Sequence, residues 1–153
     1  MIETRSAATS SSVYVSEAAC EFDDQKVEEL ASHAAAKNAS IGVTGYLYFS
    51  KGRFVQCLEG ERSVVEELLD RIGQDPRHEV LAVLSRLGSV ERRFPKWSMR
   101  WVREQEITEI GLEHILADQL LLNSRVGEVG SGLDKSIWRV VDAVADSLHN
   151  GGR

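Results

Sequence analysis

Cysteine is scarce in this chain of 153 residues: Cys20 and Cys57 stand alone, with neither a CxxC pair nor a nearby Cys/His pair. That usage excludes a disulfide framework and a thiolate metal site, and it fits reduced thiols in a cytoplasmic protein. Long apolar runs are missing too. Nothing approaches the ~20 residues of a membrane span, and the Ser/Ala-rich start lacks the apolar stretch of a signal peptide. Positive charge is in deficit, with 18 Lys plus Arg against 24 Asp plus Glu and a net charge of −6. Such a balance disfavours nucleic acid as a general partner and gives no reason to expect an anionic membrane. No GxGxxG, P-loop or nucleophile elbow occurs. Gly42-Val43-Thr44-Gly45 precedes a strand and lacks a Lys-Ser/Thr pair, so it is not a phosphate cradle. What remains is the composition of one ordinary domain, large enough to bury a core.

The most informative stretch is Phe54-Val55-Gln56-Cys57-Leu58-Glu59-Gly60. At the strand period of two, Phe54, Gln56 and Leu58 share one face and Val55 and Cys57 the other. If both faces are covered, the Gln56 amide points into packed interior. Leaving its donors and acceptor unpaired costs roughly 1–3 kcal/mol each, so something polar should meet it. Backbone or trapped water would suffice; the polar edge of a bound cofactor is the sharper candidate.

Around this strand the pattern predicts six further elements of one sheet-and-helix domain, then C-terminal helices. Residues 1–11 are expected to be a tail, followed by a short strand at Val13-Tyr14-Val15. Asp23 reads as an N-cap, with Phe22 as its staple, for a helix whose stripe is Val27, Leu30, Ala31, Ala34 and Ala35 and which stops near Asn38. Val43 to Phe49 and Arg53 to Leu58 read as a hairpin across Ser50-Lys51-Gly52. Ser63-Val64-Val65-Glu66 matches a capping box, opening a helix with Val65, Leu68, Leu69 and Ile72 on its buried stripe and Pro76 beyond its end. Val80 to Leu84 and Trp97 to Val102 complete the strands. The order β-α-β-β-α-β-β is an α+β fold: the ferredoxin-like β-α-β-β-α-β arrangement plus a fifth strand that extends the sheet. Ile107 to Leu122 and a stripe of Ile137, Val140, Val141, Val144 and Leu148 predict C-terminal helices flanking Gly127, Gly130 and Gly132. These helices read as a cap on the open sheet face or a docking surface.

Arg92 to Trp101 mixes basic and aromatic residues as a single-strand nucleic-acid platform would. An edge strand with a solvated, Lys/Arg-protected face accounts for it as well, and the acidic whole favours that account.

Taken in order, Tyr14-Val15-Ser16, Asn38 ahead of Gly42-Val43-Thr44-Gly45, the Phe54–Gly60 run, Arg71-Ile72, Asp75-Pro76-Arg77-His78, Arg92-Arg93-Phe94 and Trp97-Ser98-Met99 resemble the BLUF family of blue-light sensors that use flavin. The likeness covers residues 12–102, leaving 103–153 as a helical cap or output extension like that of the short, effector-free members.

The resemblance implies a photoreceptor, not an enzyme, that binds FAD (FMN or riboflavin would share the ring) between the two sheet-covering helices. Tyr14 would be the electron and proton donor and Gln56 the switching amide. Asn38 would hold the C4 carbonyl and N3 of the ring, and Lys37 would lie near the C2 carbonyl, where relatives often carry His or Asn. Leu30 and Ile72 would sandwich the ring. Arg71 with Asp75 would serve the ribityl and phosphate end, next to Arg77 and His78. Trp97 and Met99, on one face of the fifth strand, would report the switch. Ser10-Ser11-Ser12 stands where an Arg and apolar residues are usual, and predicts a frayed first strand. A separate downstream protein and a homo-oligomer are the expected partners. The competing class is an enzyme on the same fold, a flavin-dependent reductase or an acylphosphatase-like hydrolase. The latter needs an Arg in the loop after the first strand, and Ser16-Glu17-Ala18-Ala19-Cys20-Glu21 is acidic.

Overall fold

The computed structural model describes residues 9–86, 91–103 and 133–151. Five strands form one mixed sheet: β1 (Thr9–Ala18), β2 (Thr44–Ser50), β3 (Arg53–Glu61), β4 (His78–Arg86) and β5 (Arg100–Val102). Helices α1 (Asp24–Ile41) and α2 (Arg62–Gly73) follow β1 and β3, and α3 (Leu133–Gly151) comes last. The spatial order is β4-β1-β3-β2-β5. Pairings are antiparallel except β2 with β5, which run parallel from Tyr46↔Arg100 to Tyr48↔Val102. This is the ferredoxin-like sheet with the expected fifth strand at its β2 edge.

The period-two pattern sorts the strands between two cores. Tyr14, Leu47, Phe54 and Leu58 pack with Val27 and Ala31 of α1 and Val65 and Leu68 of α2. Val13, Val15, Tyr46, Tyr48, Val55 and Cys57 pack with Ile137, Trp138, Val141, Val144 and Leu148 of α3. The terminal helix therefore caps the open face, and the central strands are buried on both sides. Among the described residues no helix is long and apolar enough to cross a membrane. The expected helix over Ile107 to Leu122 and the glycines 127–132 lie outside the described residues.

Local signals account for most element ends. Asp23 caps α1 by accepting from the Lys26 N–H at 2.8 Å, as expected. The helix runs past Asn38 to Ile41 and stops at Gly42, whose φ of 74° is the left-handed conformation that glycine adopts without strain. Gly45 is required for a different reason: a Cβ there would lie 1.8 Å from the Cys57 carbonyl oxygen.

Two expectations fail here. The first strand is not frayed, and the tail does not extend to residue 11: β1 begins at Thr9, and Ser10, Ser11 and Ser12 are buried. A strand hydrogen-bonded on both sides, to β3 and β4, is held by its neighbours, and that overrides weak intrinsic propensity. The hydroxyls are satisfied as well, Ser10 donating to the Gly60 carbonyl and Ser12 meeting Ser85 at 2.7 Å. The capping box of α2 does not form. β3 runs straight into the helix, which starts at Arg62 with Glu61 as an N-cap whose carboxylate caps no main-chain N–H and accepts instead from the Ser63 hydroxyl at 3.4 Å. Ser63 falls inside the first turn, and Glu66 is taken by Arg62 at 3.0 Å.

Candidate functional site

A cavity of about 290 Å³ opens between α1, α2 and the sheet. Its walls gather all ten positions expected at a cofactor pocket: Tyr14, Leu30, Lys37, Asn38, Gln56, Arg71, Ile72, Asp75, Arg77 and His78. Its volume lies at the lower end of the usual range for small-molecule pockets, roughly 300–1,000 Å³.

The polar floor comes from adjacent central strands. Tyr14 of β1 and Gln56 of β3 are direct cross-strand partners, so both side chains leave the sheet on the same face. The Tyr14 hydroxyl donates to Gln56 Oε1. Gln56 Nε2 donates in turn to Met99 Sδ at 3.2 Å. The amide that the sequence left in search of a partner is thus bonded at both ends. Burial pushes the Tyr14 phenol well above its ordinary range, and the nearby Asp75 carboxylate adds to the effect. Tyr14 is therefore a neutral phenol at any physiological pH.

Asn38, buried on α1, donates from Nδ2 to the Ser98 carbonyl at 3.1 Å, tying the helix to the segment that leads into β5. Leu30 and Ile72 supply apolar wall from the two helices and Lys37 an exposed cation at the rim. At the rim, Asp75 takes Arg77 at 2.7 Å, while Arg71 pairs with Glu67 along α2 at 3.2 Å. Hydrogen bonds from Arg77 hold the Asp75 carboxyl down at about 2, against a smaller opposing cost of burial. His78 lies within β4. The Ile72 carbonyl can only accept, so Nε2 carries the proton and donates to it at 2.9 Å, leaving Nδ1 to accept from the Ser16 hydroxyl at 2.7 Å.

The expected pairing of Trp97 and Met99 on one face does not occur. β5 begins only at Arg100, so residues 97–99 follow a turn rather than the strand period. The Trp97 N–H donates to the Phe94 carbonyl and its ring stacks on Phe94 at 5.9 Å, packed on the α3 face. Met99 packs on the opposite, cavity face. Arg100 and Arg103 lie over Trp97 and Trp101 at 4.6 and 4.1 Å, which uses the basic-aromatic stretch for its own packing.

Several residues take a part in the site that the sequence reading did not assign them. Phe22, His33, Leu47 and Leu68 also line the cavity. Glu59 matters more. It is a 1% exposed carboxylate on β3 that accepts from the main-chain N–H groups of Arg93 at 2.6 Å and Phe94 at 2.9 Å and from the Thr44 hydroxyl at 3.2 Å. Burial raises its carboxyl above the ordinary range despite those bonds. The argument that flagged Gln56, a polar side chain in a strand covered on both faces, applies to Glu59 with greater force.

Comparison with known proteins agrees with this geometry. The family described as sensors of blue-light using FAD matches residues 10–100, and the chain belongs to that family, BLUF. The chain is 34% identical over 88 residues to the photoactivated adenylate cyclase subunit beta of Euglena gracilis, covering 58% of this chain and 10% of that protein. It is 39% identical over 75 residues to the blue light- and temperature-regulated antirepressor BluF of Escherichia coli strain K12, covering 49% of this chain and 19% of that protein. The chain thus spans less than a fifth of either relative's length. Among solved structures, the dark state of BlrB, a BLUF protein, superposes with a TM-score of 0.61 at 27% identity, covering 90% of this chain and 98% of that one.

Proposed function

We propose that this chain is a flavin-loaded blue-light sensor in which Tyr14 and Gln56 perform the primary switch and a separate protein receives the signal. One observation carries the reading: the Tyr14 hydroxyl and the Gln56 amide form a hydrogen-bonded pair on the floor of a cavity between two helices. The residues present suit a flavin. Leu30 and Ile72 offer apolar wall for a flat ring, Asn38 and Gln56 offer amides for its polar edge, and Lys37, Arg71 and Arg77 offer cations for a phosphate. FAD is the cofactor of this reading, and FMN or riboflavin would occupy the same ring site.

A bound flavin supplies absorption of blue light and a strong one-electron acceptor in its excited state. The chain supplies the rest. Tyr14, a neutral phenol, gives up an electron together with its hydroxyl proton, and the proton moves to its bonded acceptor, Gln56 Oε1. When the electron returns, the amide would give a proton back to the phenol oxygen, so that Tyr14 is again a neutral phenol and Gln56 is left neutral and rotated or tautomerised. Its donor and acceptor ends are then exchanged relative to Tyr14 and Met99 Sδ. Dark recovery is the reverse rearrangement, and no substrate is turned over. The chain would act as a homo-oligomer in the cytoplasm, where the Cys20 and Cys57 thiols remain reduced.

The test is direct. Purified chain incubated with FAD should become yellow, and blue light should shift its absorption slightly to the red, with spontaneous return in darkness. A colourless protein, or a yellow one indifferent to light, would end this reading.

A further inference from the structure

The site faces α1 and α2, whereas the terminal helix lies on the other side of the sheet, so any signal to α3 must cross a packed layer. Strand β3 itself provides the crossing, since Gln56 faces the cavity while Glu59 faces α3, and Arg93 bridges Glu59 to the helix on that side. The Arg93 main-chain N–H is held by the buried Glu59 carboxylate of β3 at 2.6 Å. Its guanidinium Nε donates to Asp142 of α3 at 3.0 Å. Glu59 lies three residues beyond Gln56 on the same strand, and Phe94, also held by Glu59, packs in the α3-side core beside Trp97. The strap from Arg92 to Ser98 then leads into Met99, whose sulfur accepts from Gln56.

We infer that Glu59, Arg93 and Asp142 form a clamp that couples the switching strand to the terminal helix, with Arg93 as the positioning residue that both ends grip. The inference rests on the light-sensing reading for its purpose, but the clamp itself is a property of the chain in darkness. Glu59 anchors the strap rigidly because its carboxylate is buried and satisfied by three donors. The other end is looser: Arg93 and Asp142 side chains are 40% and 30% exposed, which makes this ion pair the adjustable joint. Asp142 also approaches Arg86 at 3.8 Å, a contact that must be separated from the clamp.

The test uses hydrogen exchange on the flavin-loaded full chain. Coupling is reciprocal, so releasing Arg93 at the helix must loosen its N–H on Glu59. In darkness, Asp142→Asn should speed exchange of the Arg93 and Phe94 amides about two- to fivefold, the range open to a part-exposed ion pair. Arg86→Gln should leave both amides unchanged. Glu59→Gln should speed exchange across residues 137–148 of α3, and adding Arg93→Gln should produce no further increase. If Glu59→Gln does not fold, the Asp142→Asn amides decide alone. Unchanged Arg93 and Phe94 amides in Asp142→Asn, or fully additive effects of Glu59→Gln and Arg93→Gln, would overturn the clamp. Under blue light, Asp142→Asn should keep the spectral shift and lose most of the light-dependent change in α3 exchange. A parent chain with no spectral shift would refute the light-sensing reading and leave the dark result to judge the clamp.

Discussion

At the scale of single residues, the floor of the cavity carries two polar groups placed where apolar ones would pack more simply. Gln56→Leu keeps the volume and removes the amide. The variant should bind flavin and lose the light-induced red shift, which an absorption spectrum before and after illumination will show. Tyr14→Phe removes only the hydroxyl and should also abolish the shift; a normal shift in either variant would exclude the proposed proton route. Acid stability offers a second test. Asp75 titrates at about 2 in the folded chain against an ordinary 3.8. Its contribution is complete above about pH 4 and fades as pH falls toward 2, because the unfolded chain takes up the proton first. The pair with Arg77 is part-exposed, so the contribution is small, on the order of a few tenths of a kcal/mol. Asp75→Asn should therefore lower the melting temperature slightly at pH 6 and converge on the parent near pH 2.

At the scale of elements, α3 is held by one continuous apolar stripe. Ile137, Val141 and Val144 are fully buried against strand residues such as Val13, Tyr46 and Val55. Ile137→Ala should destabilise the domain by roughly 2–5 kcal/mol, measured by urea unfolding, because the sheet cannot collapse into the space left behind. The exposed face of the same helix carries Arg139 and Asp146, and substitutions there should change stability by less than about 0.5 kcal/mol. A further element, β2, depends on Gly45. Gly45→Ala drives a methyl into the Cys57 carbonyl and should disrupt the β2–β3 ladder; circular dichroism and thermal melting will report it. The rule that placed α2's stripe correctly misplaced its cap, since a strand that feeds directly into a helix leaves no room for a free N-cap.

For the whole molecule, ligand binding and stability are linked. A flavin that binds only the folded chain stabilises it by about 2.7 kcal/mol at a free concentration one hundred times its Kd. For a domain of this size that corresponds to a rise on the order of 5–10 °C in melting temperature. FAD, FMN and riboflavin compared at equal free concentration should rank by how much the rim cations Lys37, Arg71 and Arg77 gain from phosphate; a larger rise for riboflavin than for FAD would remove those cations from the site.

The sequence by itself determined how β3 alternates between two covered faces, which stripes of α1, α2 and α3 are buried, and that Tyr14 and Gln56 stand on neighbouring strands. Those are local properties: periodicities of two and 3.6 repeat within a single element, and the ferredoxin-like order places the first and third strands side by side. Only the tertiary structure decided the matters that depend on register and on partners distant in the chain. Ser10 to Ser12 form a sound strand because two ladders hold them, not because serine favours one. Trp97 and Met99 separate to opposite faces because a turn, invisible to strand periodicity, precedes β5. Glu59 becomes an anchor because a strap more than thirty residues later turns its N–H groups toward that carboxylate. A buried charge states that it needs partners; which groups answer is settled only when the chain has closed on itself.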